Sequence, residues 1–438
     1  MKKLSLSVIG MYLMMAHAFS QGPFPDSTGY VPKKLKLDEV NLVTSYYDQT
    51  ANKSAVMGGD PGPKGIANVT DFASGLDATF IGWDKKKRKN TLTFGLGIDY
   101  HTAASQAYVD SNGTSKNDGT RIYPTLSWSR ENEQKGTAFT LGAYYSAEHN
   151  YYHSIGLNAS VSKKNKTNGE FSLKMVGFFD QINMIYPAEF YPVDSVKNAS
   201  AKDSIVYVTS ASGRTQALIY NNGQLVGKTK NQKSETPTKP RNTYTASLSF
   251  TQIINQRMQG SVEMDLVYQT GYLGLPFHRV FLNTGENTLK DTIENLPSQR
   301  FKLPIGFRLN YFLGDNVILR SYYRFYADSW GIVSNTFNLE VPVKITPFFS
   351  ISPFYRFYMQ SAAYYFAPYG EGSIDQKYYT SNYDLSAFNS NMFGAGLRLA
   401  PPKGVFMNSL RVLELRYAHY TQSIDLNANI ISLNLVFK

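Results

Sequence analysis

Apolar and polar residues alternate with a period of two along most of this chain. In Arg300–Tyr311, Phe301, Leu303, Ile305, Phe307, Leu309 and Tyr311 fall on one side, while Arg300, Lys302, Arg308 and Asn310 fall on the other. Thr91–His101 sets Leu92, Phe94, Leu96 and Ile98 against Thr93, Gly95, Gly97 and Asp99, and the C-terminus sets Ile431, Leu433, Leu435 and Phe437 against Ser432, Asn434 and Lys438. Half-buried strands give this pattern and helices do not. It recurs in sixteen segments: 37–48, 70–82, 91–104, 121–130, 137–148, 152–162, 169–181, 242–254, 260–270, 300–313, 316–327, 332–344, 347–359, 389–399, 408–420 and 428–438. Each is long enough for a tilted membrane strand of ~9–11 residues. Fourteen or eighteen strands are the alternatives, turning on the first segment and on a further hairpin near Ile205–Tyr220.

The spacing between segments is a second, independent signal. Numbered from the first strand, the even connections are short, and the long ones (182–241, 271–299 and 360–388) are all odd. In an antiparallel barrel this sends every long loop to one rim. Outer-membrane barrels are built this way, with turns in the periplasm and long loops outside. The expected fold is therefore an all-β transmembrane antiparallel β-barrel over 37–438, with both termini periplasmic.

Residues 1–20 read as a cleaved signal peptide: Lys2 and Lys3, an apolar run from Leu4 to Met15, then small residues around Ala16–Ser20. Residues 21–36 read as a short periplasmic lead-in. The chain has no cysteine, which excludes disulfides, thiol chemistry and a lipidated N-terminal Cys. Tyr (32) and Phe (27) are abundant, which suits strands facing lipid on one side. The net charge of +11 becomes +9 without Lys2 and Lys3, and points to anionic lipid or solutes rather than DNA, since an exported protein meets little nucleic acid.

Several stretches resemble an uncharacterised outer-membrane family of Bacteroidota, domain of unknown function 3570. They are Ser45-Tyr46-Tyr47-Asp48-Gln49 with Ser54–Gly59; Gly97-Ile98-Asp99-Tyr100 with Ala103-Ala104-Ser105; and Trp330-Gly331-Ile332, Pro353–Tyr358, Gln360–Phe366, Tyr379-Thr380-Ser381, Asp384–Phe388 and Glu414–Tyr420. The resemblance implies an outer-membrane barrel and no established activity. It also implies genomic company with small lipoproteins, thioredoxin-like proteins and flavin-transferring enzymes, and hence a redox envelope setting.

Taking the polar side of each strand as inward, the first nine strands contribute Glu39, Asp71, Asp77, Asp99, Glu148, Glu263 and Asp265. The last seven contribute Arg300, Lys302, Arg308, Arg320, Arg324, Arg356, Arg398 and Arg416. Arg121 and Lys174 interrupt the acidic set, and Glu340, Lys344 and Glu414 the basic one. Opposed charged walls create a field across an aqueous lumen; alternatively, the charges pair across a filled interior. Loop residues Tyr364, Tyr365, Tyr369, Tyr378, Tyr379 and Tyr383 either stack on ligands or pack as a lid. Glu148-His149 with His153 has donor chemistry for zinc or copper, yet a hairpin does not make those side chains converge. Gly58–Gly65 reads as a rigid surface loop rather than a phosphate cradle. Ser154 beside His153 has no acid to complete a catalytic arrangement. No catalytic residue, metal or cofactor is expected. The leading expectation is a porin-like channel for small solutes; the alternatives are a closed structural or partner-docking barrel and, last, a rim-located enzyme. Expected partners are outer-membrane lipid and lipopolysaccharide, the barrel-assembly machinery and periplasmic lipoproteins.

Overall fold

In the computed structural model, the described residues are 30–51, 68–102, 119–148, 151–185, 203–209, 215–221, 224–228, 237–285 and 288–438. They form one closed antiparallel barrel. Its strands are β1 Lys33–Ala51, β2 Val69–Trp83, β3 Lys89–His101, β4 Gly119–Asn132, β5 Thr137–Glu148, β6 Tyr152–Lys164, β7 Gly169–Asn183, β8 Thr238–Asn255, β9 Met258–Gly271, β10 Gln299–Leu313 and β11 Val317–Asp328. Then come β12 Val333–Glu340 (continued by Val343–Thr346), β13 Phe349–Gln360, β14 Phe388–Leu399, β15 Leu410–Gln422 and β16 Leu426–Phe437. Each pairs with its sequence neighbours, and β16 pairs with β1 from Val40↔Phe437 to Ala51↔Leu426, which closes the sheet. β12 is broken at Val341-Pro342 because proline has no N–H for the ladder. The two pieces stay in line: the Pro342 carbonyl still accepts from Ile318 N at 3.0 Å.

All sixteen expected segments appear as barrel strands, with shifted ends. β1 begins at Lys33, so 33–36 is strand rather than lead-in. The three long loops shorten to 184–237, 272–298 and 361–387 because the flanking strands run on, and 184–237 contains three strands of its own (Asp203–Thr209, Thr215–Asn221 and Gln224–Lys228). A barrel strand must extend until the ladder loses its partner, and that end carries no mark in the alternation.

The outer face is apolar and bare. Ile122, Leu126, Leu157 and Met175 are 47, 48, 55 and 58% exposed, and the outward rows of the other strands match them. Water would not tolerate so continuous a belt; hydrocarbon would. Every backbone N–H of a closed barrel finds its partner in the next strand, which is what a bilayer requires of a spanning structure. The protein is a transmembrane barrel of the outer-membrane type.

Candidate functional site

The candidate site is the barrel interior and the lid over one of its mouths. Strand register assigns the inward rows. Across β2, β3 and β4, Asp77 pairs with Gly95 and Gly95 with Thr125; Asp71 pairs with His101, and Asp99 with Arg121. Gly97 has a specific role here: a Cβ at this position would sit 1.9 Å from the Tyr123 ring. Without one, Tyr123 lies against the wall and donates to Asp99 at 2.9 Å. Asp99 also accepts from Arg121, whose ring neighbour is Tyr123 at 5.0 Å.

Most interior charges pair with near neighbours instead of reaching across the lumen. Glu148 meets His101 at 3.4 Å, Asp180 meets Arg241 at 2.9 Å, and Glu263 meets Arg308 at 3.9 Å. On the other wall Glu340 is shared by Arg320 at 3.5 Å and Arg416 at 3.3 Å, and Arg416 also meets Glu414 at 3.1 Å. Glu39 binds Lys438 at 2.9 Å where β1 meets the C-terminus. Arg300 is held by Asp328, which accepts from its Nε at 3.0 Å, and its guanidinium lies 4.3 Å over the Trp330 ring. The rest form no ion pair with a described partner: Asp71, Asp77 and Asp265 on one wall, Lys302, Arg324, Arg356 and Arg398 on the other. Their inward rows follow from the registers Asp265↔Ser247, Lys302↔Asp328, Arg324↔Thr336, Arg356↔Asn338 and Arg398↔Glu414. A recess of about 230 Å³ opens beside Arg356, lined by Asn338, Glu340, Phe354, Met392 and Arg416.

Loops 272–298 and 361–387 interlock into one lid. Arg279–Asn283 pairs antiparallel with Leu289–Ile293 and parallel with Gly372–Ser373 of the other loop. Asn295 and Tyr379 exchange backbone hydrogen bonds of 3.1 and 2.8 Å. Between the loops lies Glu294, fully enclosed, accepting from Leu275 N and from Thr380 Oγ1 at 2.8 Å. Burial pushes its carboxyl up to about 7. Burial also raises Asp384, whose carbonyl accepts from Gln360 Nε2 at 3.0 Å. Beneath the lid, Trp330, Ile332, Ala363 and Leu385 form an apolar core that Tyr326, from the inward row of β11, joins from below.

The loop tyrosines belong to this packing. Tyr365 meets Trp330 and Tyr378 edge-on at 6.1 and 5.6 Å, Tyr369 leans on Phe281 at 4.7 Å, and Tyr383 is buried against Phe366 at 5.3 Å. Tyr379 carries the bridge to Asn295, whereas Tyr364 stands 77% exposed. Ser154 is buried and faces inward while His153 is exposed on the opposite face, so the two never meet. His149 and the loop Gly58–Gly65 lie outside the described residues. Among the described residues no three His, Asp or Glu side chains cluster as metal ligands. Sequence reasoning missed Asp328, which it left one residue beyond its strand, and Arg241, which it placed in a loop. Longer strands would have found both.

A closed barrel with a bare apolar exterior, a charged interior and a lid at one mouth defines an outer-membrane β-barrel of porin-like build. The chain belongs to the family described as protein of unknown function DUF3570, whose model matches residues 97–432. Comparison with curated proteins gives no match. Among solved structures, it is similar to OccK8 (OprE) of Pseudomonas aeruginosa, with a TM-score of 0.36 and 9% identity over 93% of this chain and 98% of that one. It is similar also to CdiB of Acinetobacter baumannii (TM-score 0.39, 9% identity, 92% of this chain and 61% of that one). A third is a TodX deletion mutant titled a monoaromatic hydrocarbon channel (TM-score 0.39, 7% identity, 91% and 89%).

Proposed function

We propose that the protein is a lidded channel for small solutes with a charge-segregated lumen: acids concentrated on β2–β9 and cations on β10–β15. One observation carries this reading. Asp71, Asp77 and Asp265, and across from them Arg324, Arg356 and Arg398, have no ionic partner among the described residues. An unpaired charge in a dry, filled interior costs several kcal/mol, on the order of 3–5 when a partner is removed. Groups left this way need water, so the reading requires an aqueous column between the walls. In the same proposal residues 1–20 direct export, the long loops face outward and both termini lie in the periplasm, with insertion by the barrel-assembly machinery. The interlocked lid favours a second reading, a closed barrel that docks periplasmic lipoproteins or a redox module.

Planar-bilayer recording separates the two. The channel reading expects single-channel conductance in the parent, and a reversal potential that shifts toward cations in R320A/R324A/R356A. These side chains lie on inward rows, so the lipid face is unchanged. A silent parent together with a destabilised triple variant would instead establish the closed barrel.

A further inference from the structure

The charge of the chain is unevenly divided between the two rims. The seven short connections hold eight Lys or Arg and three Asp or Glu, whereas the eight connections at the other rim hold twelve and fourteen. The excess is densest over β2–β7. In the β2–β3 turn, Asp84 accepts from Lys86 N at 2.8 Å and Arg88 N at 3.1 Å and binds the Arg88 guanidinium at 2.7 Å. That fixes the turn and neutralises Arg88. Lys85, Lys86 and Lys87 remain exposed, with no ion pair to a described carboxylate. Two strands along, the lipid-facing rows themselves end in cations: Trp128 is followed by Arg130 on β4, and Val161 by Lys163 on β6.

The height of these groups identifies what they meet. Arg130 lies 4.8 Å over the Trp128 ring. Trp128 sits edge-on to Phe139 at 6.3 Å within the exterior apolar surface. An aromatic ring with a polar edge settles where hydrocarbon gives way to headgroups, so Arg130, two residues beyond Trp128 on the same row, stands at the headgroup level itself. A soluble acidic partner would approach from the open end of the barrel, and would not need the outward rows to finish in Arg130 and Lys163.

We propose that the β2–β7 sector of the short-turn rim is a binding surface for anionic phospholipid headgroups of the adjoining leaflet. It holds the barrel at a fixed depth by charge as well as by the apolar belt. The proposal rests on the membrane-spanning barrel alone and is independent of what passes through it.

The three tryptophans supply the test. Trp128 lies in the lipid-facing row beside the surface, whereas Trp83 ends an inward row of β2 and Trp330 is buried at the opposite rim, so neither of these reports lipid. The full-length protein is reconstituted with brominated phosphatidylglycerol or brominated phosphatidylcholine, and tryptophan quenching is compared. The expected result is a preference for the anionic lipid of roughly three- to tenfold at low salt, largely lost at about 0.5 M salt. K85E/K86E/K87E should bring the ratio close to one, while K403E, on the same rim but outside the sector, should leave it unchanged. If the charge-reversed turn impairs assembly, K85Q/K86Q/K87Q takes its place with the same expected loss. Equal quenching by the two lipids in the parent overturns the proposal and leaves the charge to an acidic soluble partner. A triple variant that keeps the full preference overturns it as well.

Discussion

Asp328 is the residue whose removal should damage the barrel wall most. Its side chain is fully enclosed and that of its partner Arg300 is 12% exposed. The carboxylate accepts from Arg300 Nε at 3.0 Å, Tyr326 OH at 2.6 Å, Trp330 N at 2.8 Å and Ile332 N at 3.1 Å. It therefore both neutralises a buried guanidinium and caps the β11–β12 turn. Asp328→Ala strands that guanidinium, at about 3–5 kcal/mol, and leaves the two turn amides unsatisfied, at ~1 kcal/mol or more each. Glu263→Ala makes a calibrated contrast: its pair with Arg308 is 3.9 Å long and about half exposed, so the loss should stay below ~1 kcal/mol. Urea unfolding followed by Trp330 emission measures both, since Arg300 stacks on that ring. R300L/D328L should recover much of the deficit, because a buried pair replaced by apolar groups is often close to neutral. A D328A variant within 1 kcal/mol of the parent would refute this reasoning, as would a double variant no better than the single one.

Three further outcomes are expected. A tag inserted near Gly227, in the longest loop, should be labelled on intact cells; labelling only after lysis reverses the proposed orientation. Leu435→Arg, opposite Leu42 of β1 and Leu413 of β15, places a charge in the hydrocarbon and should lower stability by ~2–4 kcal/mol; normal abundance and unchanged heat-modifiable migration would contradict the assigned facing. The lid should loosen as pH rises. Glu294 is shifted from an ordinary carboxyl value up to about 7, so the folded lid holds a proton that the open loop releases. Its contribution is complete below about pH 4.5 and lost as pH rises through about 7, and E294Q should flatten the response. Amide exchange in residues 272–298 and 361–387 across that range measures it, and an equally steep profile in E294Q would exclude Glu294 as the cause.

The strands were legible in the sequence because a membrane barrel has to satisfy two solvents at once. Lipid on one side and a polar interior on the other impose a period of two on every crossing, as in Arg300–Tyr311. Loop-length parity was legible as well, since antiparallel order sends odd connections to one rim and even ones to the other, and the long ones are all odd. What the alternation does not carry is where a strand stops. Asp328 and Arg241 fall at such ends, and each completes an ion pair that no pattern announced. The lid was hidden for a different reason. The bridges from Asn295 to Tyr379 and from Glu294 to Thr380 join loops more than eighty residues apart through backbone and single side chains. Such contacts have no period. Local pairing of the interior charges was likewise invisible, because it depends on register: Arg320 finds Glu340 only when β11 and β12 align as they do.

The seam between β1 and β16 sets the order of events in the life of the chain. Its paired residues lie 375 to 397 positions apart in sequence, and bringing such ends together costs about 5 kcal/mol of loop entropy before any bond compensates it. Contacts this distant make folding slow. The strand that seals the barrel is also the last of the sixteen to be made. Until it arrives, β1 and β15 each present a row of unpaired amides and carbonyls, able to recruit a foreign strand in water and intolerable in hydrocarbon. A half-built barrel therefore has no stable place to wait, and the twelve residues of β16 decide whether the other fifteen strands succeed.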